Sequence, residues 1–174
     1  MSVHVVAMGV SGSGKSTVAE GVVERTGWVF AEADAFHPQA NIDKMSQGIP
    51  LTDEDRWPWL HELAAWMAEH AARGEDTVIT CSALKRTYRD VLRADVAALG
   101  AGHRVVFAHL DGSAAVIADR LEGRQGHFMP ASLLQSQIDT LEDLEPDEDG
   151  VVLDLTAAPE VLVDQVMASV APGR

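Results

Sequence analysis

Residues 9–16 read G-x-x-x-x-G-K-S, a pattern whose residue types and spacing suit the binding of a phosphate group. The glycines let the backbone turn its N–H groups inward, and the amine of Lys15 is long enough to reach the outer phosphate oxygens. The hydroxyl of Ser16 is a ligand for Mg²⁺ in such loops, and the helix expected after the loop adds its positive N-terminal end. The pattern predicts a nucleotide site rather than a glycine-rich surface turn, with these candidate contacts: Gly9, Ser11, Gly12, Ser13, Gly14, Lys15, Ser16 and Thr17.

A second group of polar residues follows the apolar run at 28–31. Ligands of open α/β sheets bind outside the carboxyl ends of the strands, so Glu32, Asp34 and His37 are expected beside the phosphate loop. The apolar run at 77–81 is not followed by a carboxylate, so the second ligand of the metal has to come from Glu32 or Asp34. We assign Asp34 to accept the proton of a substrate hydroxyl and Glu32 to a water-mediated contact with Mg²⁺, and the division between them stays open. The plainer alternative is that both carboxylates end a strand in solvent.

The remaining polar candidates suit a small anion with many hydroxyl groups, because Arg and Lys clamp a carboxylate or phosphate while His and Asn sort hydroxyls. These candidates are His37, Asn41, Arg56, Ser82, Lys85 and Arg89. Structural alternatives exist: His37 could cap a turn, Arg56 could form a surface ion pair, and Arg89 could belong to a solvated helix face. Cys81 is expected to be a buried thiol rather than a nucleophile, and the four tryptophans are expected to be mostly core.

Residues 120–130 combine Arg120 and Arg124 with two glycines that are possible hinges. Such a segment suits a mobile lid that closes over a bound nucleotide. A capping box at 132–135 predicts a new helix that runs to about residue 144, and the acidic residues at 145–150 are expected to form a solvated turn. The predicted lid adds its two arginines to the candidate nucleotide contacts.

The elements that must position these residues alternate between strand patterns and helical patterns. Strands are expected at 3–8, 28–31, 77–81, 104–110 and 151–155. Helices are expected at 17–25, 41–45, 56–73, after residue 86, and at 113–122, 132–144 and 159–170. This alternation implies a parallel sheet between two helix layers, joined by right-handed crossovers. We therefore expect one domain over residues 1–174, a three-layer α/β/α sandwich with a five-stranded parallel sheet.

Charge and cysteine content limit the classes of partner and compartment. A formal net charge of −14 argues against a surface for nucleic acid or an anionic membrane. Twelve of the thirteen Lys and Arg residues lie between Lys15 and Arg124, where anionic ligands are expected. One cysteine excludes an intrachain disulfide, and the first apolar run is too short for a signal peptide or a membrane span. These features predict a cytoplasmic protein.

Longer motifs cover most of the chain, and the most specific are H-P-x-x-N-x-x-K-M at 37–45 and C-S-A-L-K at 81–85. Together with the phosphate loop, D-E-D-R at 53–56 and G-H-F at 126–128, they resemble one family, the small gluconate kinases of the shikimate-kinase-like phosphate-loop group. The resemblance implies a nucleoside-monophosphate-kinase-like fold, a homodimer, and ATP-dependent phosphorylation of the 6-hydroxyl of D-gluconate with Mg²⁺. The implied product, 6-phosphogluconate, feeds the pentose phosphate route.

The resemblance also implies residue roles by position. These are Lys15 and Asp34 for catalysis, Ser16 and Glu32 for the metal, His37, Arg56, Lys85 and His127 for the substrate, and Arg120, Arg124 and Pro159 for the nucleotide. One departure is Ala33, which stands between the two carboxylates where relatives often have glycine. It limits the backbone there and leaves both carboxylates in place.

Two other functions remain open from the sequence. One is a kinase of the same fold that acts on shikimate or a related hydroxy acid, which would call for a cluster of arginines around a rigid ring. The other is a nucleotide-binding switch or assembly protein with weak ATP hydrolysis. That function would leave Asp34, His37 and Lys85 without a role.

Overall fold

The computed structural model describes residues 1–123 and 131–172, and within them five strands form one parallel sheet. The strands are β1 (Ser2–Met8), β2 (Val29–Glu32), β3 (Thr77–Thr80), β4 (His103–Asp111) and β5 (Gly150–Asp154). Their order is β2-β3-β1-β4-β5, so the first strand lies at the centre. Val6 of β1 pairs with Ile79 of β3 on one side and Phe107 of β4 on the other. All three are fully buried, as expected for a parallel sheet covered on both faces.

The described residues also form seven α-helices. They are α1 (Lys15–Thr26), α2 (Gln39–Ser46), α3 (Asp53–Ala72), α4 (Arg86–Ala97), α5 (Ala114–Glu122), α6 (Ala131–Thr140) and α7 (Pro159–Val170), with a 3₁₀ turn at Ala33–Phe36. Helix α1 packs against α7, α3 packs against α4, and each pair also contacts the sheet. The two pairs are the outer layers of the predicted α/β/α sandwich, and the fold class is confirmed.

Helix α3 begins at Asp53, three residues before the predicted start. The Thr52 hydroxyl accepts from the N–H of Asp55, and the Asp55 carboxylate accepts from the N–H of Thr52. This reciprocal capping box satisfies N–H groups that a helix end otherwise leaves unpaired. Lys44 of α2 donates to the same carboxylate at 2.7 Å, and with the Thr52 bonds it lowers the pKa of Asp55 to about 2. The start of α3 is thereby tied to α2, and Arg56 projects from its first turns.

Helix α6 ends at Thr140 rather than near residue 144. The N–H of Glu142 leaves the helical pattern and donates to the Leu84 carbonyl at 2.6 Å. The chain therefore turns toward the loop that follows β3 instead of continuing the helix. The five strands begin and end within about two residues of their predicted bounds, and so do the remaining helices whose bounds were predicted.

The single cysteine and the tryptophans belong to the packed interior, as expected. Cys81 and Trp59 are buried, and Trp28, Trp57 and Trp66 are partly buried against the core. Burial raises the pKa of the Cys81 thiol to about 12, so it is protonated and unreactive at neutral pH. Among the described residues, none of the helices has the length and apolar character needed to cross a membrane.

Candidate active site

The phosphate loop connects β1 to α1 and depends on three glycines. Gly9, Gly12 and Gly14 have φ angles of 144°, 83° and 96°, a region that residues with a Cβ rarely occupy. Lys15 Nζ donates to the carbonyl oxygens of Gly9 at 3.0 Å and Val10 at 3.1 Å, so the amine lies across the loop. The loop, this amine and the N-terminus of α1 form a concave cationic site of the kind that binds phosphate.

Ser16, in the first turn of α1, meets Glu32 at the end of β2. Ser16 Oγ donates a hydrogen bond to Glu32 Oε1 at 3.2 Å. Glu32 reaches this position because it pairs with Thr80 of β3 at the carboxyl edge of the sheet. A hydroxyl oxygen beside a carboxylate oxygen is the donor type that Mg²⁺ takes from proteins when phosphate oxygens complete its shell. The two residues therefore fit a magnesium ion.

One cavity of about 550 Å³ joins the phosphate loop to the ends of β2 and β3. The predicted site residues that line it are Ser11, Gly12, Gly14, Lys15, Ser16, Glu32, Asp34, His37, Arg56 and Ser82. Apolar side chains, among them Ile42, Ile49 and Leu133, form much of the remaining wall. The structure thus brings the phosphate-binding residues and the predicted acceptor contacts into one space.

His37 is held at the cavity wall by two neighbours. Its ring stacks on Trp59 with centroids 4.0 Å apart, and Asn41 Nδ2 donates to its Nδ1 at 3.2 Å. Because Nδ1 accepts, the proton of the neutral ring is on Nε2, which lies 3.9 Å from Asp34 Oδ1. Burial lowers the pKa of His37 below 6.5 although Asp34 opposes this, so the ring is neutral at pH 7. His37 can therefore donate from Nε2 to a ligand oxygen, while the Asp34 side chain, 90% exposed, is free to accept a proton.

Arg56 reaches the cavity from α3 and rests against an aromatic ring of α4. Arg56 Nη1 donates to Tyr88 Oη at 2.6 Å, and the guanidinium carbon lies 5.1 Å from the centre of the Tyr88 ring. Tyr88 Oη donates to Asp53, whose carboxylate also accepts from Lys85 Nζ at 3.2 Å. The hydrogen bonds from Tyr88 and Lys85 lower the pKa of Asp53, and the bond to Asp53 raises the pKa of Lys85. This network fixes Arg56 as a cation at the wall, where it can meet an anionic ligand.

A second cavity, of about 250 Å³, borders the first at Gly12 and Gly14. The other predicted nucleotide contacts that line it are Ser13, Thr17, Arg120 and Pro159. Arg120 Nη1 donates to the Ser13 carbonyl at 3.5 Å, and Nη2 donates to the Leu155 carbonyl. The phosphate loop therefore has a nucleoside-sized cavity on one side and the larger cavity on the other.

The prediction that Arg89 contacts the substrate is wrong, because its side chain is fully buried behind the cavity. The guanidinium donates to Glu148 at 2.8 and 3.1 Å and to the carbonyl oxygens of Ala83, Glu142 and Asp143 at 3.0 to 3.1 Å. The solvated-face alternative for Arg89 is also wrong. The segment at 145–150 is exposed as predicted except at Glu148, whose side chain these contacts enclose.

Three other predicted residues do not line the cavity. The buried Asn41 donates to His37 and, at 3.0 Å, to the Asp55 carbonyl, so it orients the histidine. Lys85 is held by Asp53, and Gly9 presents its carbonyl to Lys15. These contacts position cavity residues. Arg124 and His127, with most of the predicted lid, lie outside the described residues.

Sequence reasoning did not select Trp59, Tyr88 or Gln137 as site residues. Trp59 follows Arg56 by three positions on α3, a spacing that places both on neighbouring parts of one helix face. Tyr88 lies in the same polar segment as Lys85. Gln137 carries no local signal, because its contact with the phosphate loop spans 126 residues of chain.

Comparisons with known proteins show the family of this chain. A family model described as an AAA domain matches residues 5–144. The gluconokinase of Gluconobacter oxydans is 49% identical over 162 residues, which cover 93% of this chain and 88% of that protein. A gluconokinase structure from Sinorhizobium meliloti matches with a TM-score of 0.80 and 48% identity, over 95% of this chain and 90% of that one. An unliganded sugar kinase from a Janibacter species matches with a TM-score of 0.88 and 61% identity, over 97% and 94% of the two chains. The chain therefore belongs to the gluconokinase family of kinases.

Proposed function

We propose that this protein transfers the γ-phosphoryl group of ATP to the 6-hydroxyl of D-gluconate, giving 6-phosphogluconate and ADP. The observation that carries the proposal is the single cavity that joins Lys15 and the phosphate loop to Asp34, His37 and Arg56. The relatives that are gluconokinases supply the acceptor. The product would feed the pentose phosphate route.

Each side of the phosphate loop has a separate task in this reaction. The smaller cavity, with Thr17, Arg120 and Pro159, takes the nucleoside, and Lys15 with the loop N–H groups holds the β- and γ-phosphates. Arg56 binds the gluconate carboxylate or a hydroxyl beside it, and His37 Nε2 donates to a hydroxyl. Gluconate is a flexible polyhydroxylated anion, which such a mixed set of donors recognises.

Asp34 accepts the proton when the acceptor oxygen attacks. The bond from the acceptor oxygen to the γ-phosphorus forms, the bond to the β,γ-bridging oxygen breaks, and the acceptor proton passes to the Asp34 carboxylate. Ser16 and Glu32 would hold Mg²⁺, which would neutralise negative charge on the phosphate groups during transfer. Because His37 is neutral, it places no positive charge beside Asp34 that would oppose proton uptake by the carboxylate.

Three features of the proposal rest on the family resemblance. Arg124 is assigned to the nucleotide and His127 to the substrate. Two copies of the chain form a homodimer. The cytoplasmic location is inferred instead from the single cysteine, which suits a reducing compartment. Analytical ultracentrifugation of the purified protein tests the dimer directly.

The test is ADP release from Mg-ATP with D-gluconate, shikimate, glycerate, a nucleoside monophosphate or no acceptor. We expect turnover with gluconate, and ³¹P NMR of the product should show one phosphomonoester at the terminal carbon. Turnover with shikimate or glycerate instead would support a kinase but would show that gluconate is not its acceptor. Equal slow hydrolysis in every tube would overturn the proposal in favour of a nucleotide-dependent switch.

A further inference from the structure

Gln137 of α6 makes an unusual contact with the phosphate loop. Its Oε1 accepts a hydrogen bond from the backbone N–H of Ser11 at 2.7 Å, and its Nε2 donates to Ser11 Oγ at 3.2 Å. One side-chain amide therefore engages both the backbone and the side chain of a loop residue. The base of α6 is anchored by the buried Leu133 and Leu134, so Gln137 projects from a fixed helix.

The position of Gln137 relates it to one particular phosphate. Gln137 and Ser11 line the larger cavity, together with Asp34 and His37. The nucleoside side of the loop is lined instead by Thr17 and other residues of the smaller cavity. A phosphoryl group that moves from nucleotide to acceptor must lie at the acceptor end of the loop. Gln137 therefore lies where the terminal phosphate of ATP arrives, whereas the phosphates of ADP lie farther toward the nucleoside side.

The chemistry of the contact matches that of a bound phosphate. Inward-facing N–H groups are the means by which such a loop binds phosphate oxygens, and the N–H of Ser11 is already paired with the carbonyl oxygen of Gln137. When a phosphate oxygen takes that N–H, the carbonyl oxygen has to leave. The amide of a glutamine can turn about its last torsion at low cost and present its NH₂ group instead.

We propose that Gln137 is a further catalytic residue that contacts the terminal phosphate of ATP. In the free protein its carbonyl oxygen occupies the place of a phosphate oxygen on Ser11, and with ATP bound its Nε2 donates to the γ-phosphate. The same donor stabilises the charge on the phosphoryl group during transfer. The inference rests on the proposed function only in placing the γ-phosphate between nucleotide and acceptor.

The test compares two nucleotides by calorimetry in the presence of Mg²⁺: ADP and the non-hydrolysable β,γ-imido analogue of ATP. Gln137→Leu should weaken binding of the analogue about tenfold or more, because a hydrogen bond to a charged group is lost, and should leave ADP within about twofold. Gln137→Glu should weaken the analogue further, since its carboxylate faces the γ-phosphate. The matched control is Gln135→Leu on the same helix, where the exposed amide bonds only to Asp139 among the described residues. This control should bind both nucleotides normally.

Equal losses for ADP and the analogue in Gln137→Leu would show that Gln137 only shapes the loop, and would overturn the proposal. Unchanged affinity for both would overturn it as well. These binding measurements need no acceptor, so they remain decisive if gluconate is not the substrate. If the wild-type protein binds neither nucleotide, the proposed function itself fails.

Discussion

Two arginines in neighbouring helices show how differently the same residue type is used on either side of the cavity wall. Arg56 lies at the cavity, and within residues 1–123 and 131–172 its guanidinium bonds to one hydroxyl, that of Tyr88. Arg89 is fully buried, and its donors are divided between the Glu148 carboxylate and several carbonyl oxygens. The first arrangement leaves capacity for a ligand and the second leaves none. The fraction of guanidinium N–H donors that are already hydrogen-bonded, rather than the presence of a charge, distinguishes a candidate binding residue from a structural one.

The buried cluster of Arg89 and Glu148 nevertheless stabilises the loop beside the cavity. Ala83 has a φ of 46°, an unfavourable left-handed conformation for a residue with a Cβ, and Arg89 donates to its carbonyl oxygen. The preceding residue, Ser82, lines the cavity. Glu148 is buried, which opposes its ionisation, but hydrogen bonds from Arg89 and from the N–H of Glu145 lower its pKa below 4.5. Arg89 and Glu148 are therefore positioning residues, which hold the loop after β3 in shape.

The largest expected effect is on the cavity side. Asp34→Asn should lower kcat by roughly 10²- to 10⁴-fold, because an amide cannot accept the proton of the acceptor hydroxyl. The melting temperature should stay close to that of the wild type, because the Asp34 side chain is 90% exposed. Steady-state kinetics and a thermal melt measure the two quantities. Asp43→Asn, an exposed carboxylate of α2, is the control, and normal turnover in Asp34→Asn would remove the assigned base.

For the buried cluster of Arg89 and Glu148, substitution is expected to lower stability rather than to remove a catalytic group. Arg89→Met should lower the free energy of unfolding by roughly 3–5 kcal/mol, because it leaves the Glu148 carboxylate buried without its main partner. Urea unfolding measures this loss. Adding Glu148→Gln to Arg89→Met should restore part of the lost stability, because the buried carboxylate charge is removed. The recovery should be incomplete, because the carbonyl oxygens that Arg89 bonds to still lack its N–H donors. A stable Arg89→Met protein with a raised KM for gluconate would instead return Arg89 to the substrate site.

The sequence predicts the fold well because the controlling signals are local. Apolar runs, the glycine loop and the terminators after each helix are separated by short distances along the chain, and they mark all five strands. The positions of Glu32, Asp34 and His37 beside the phosphate loop follow from the same information. In a parallel sheet the carboxyl ends of the strands lie at one edge, so the residues after β2 and those after β1 come together there although β3 lies between the two strands.

The roles within the polar motifs could not be predicted in the same way. Arg89 and Lys85 share one short segment with Tyr88, and only the packing of α4 determines which of them faces the interior. The partner of Arg89 is Glu148, 59 residues away in a segment whose composition suggests solvent exposure. Gln137 and Ser11 are farther apart still. Contacts between residues so far apart along the chain produce no periodicity or spacing that the sequence could reveal.

A moderate effect is expected at Arg56. Arg56→Met should raise the KM for gluconate by roughly tenfold to a hundredfold, because a hydrogen bond between charged groups is lost, and should change the KM for ATP much less. Arg73→Met, an exposed arginine at the far end of α3, is the matched control. Equal increases in both KM values would place Arg56 outside the acceptor site.

The smallest expected effect is a difference in how stability depends on pH at His37, in the cavity wall, and at Glu148, in the buried cluster. Burial lowers the folded pKa of His37 below 6.5, so as the pH falls below 6.5 the unfolded chain takes up a proton before the folded protein does, and stability is lost. For one histidine this loss cannot exceed about 1.4 kcal/mol at pH 5.5. The stability difference between wild type and His37→Gln should therefore narrow between pH 7.5 and 5.5.

Glu148→Gln should show the same deficit at both pH values, because the Glu148 carboxylate has a pKa below 4.5 and stays ionised over this range. Urea unfolding at the two pH values measures both variants. Other buried histidines, such as His4, are present in every protein compared and cancel in the difference. A deficit of His37→Gln that does not change with pH would mean that His37 titrates normally in the fold. Its Nε2 would then carry a positive charge in mild acid, beside the carboxylate that has to accept the proton.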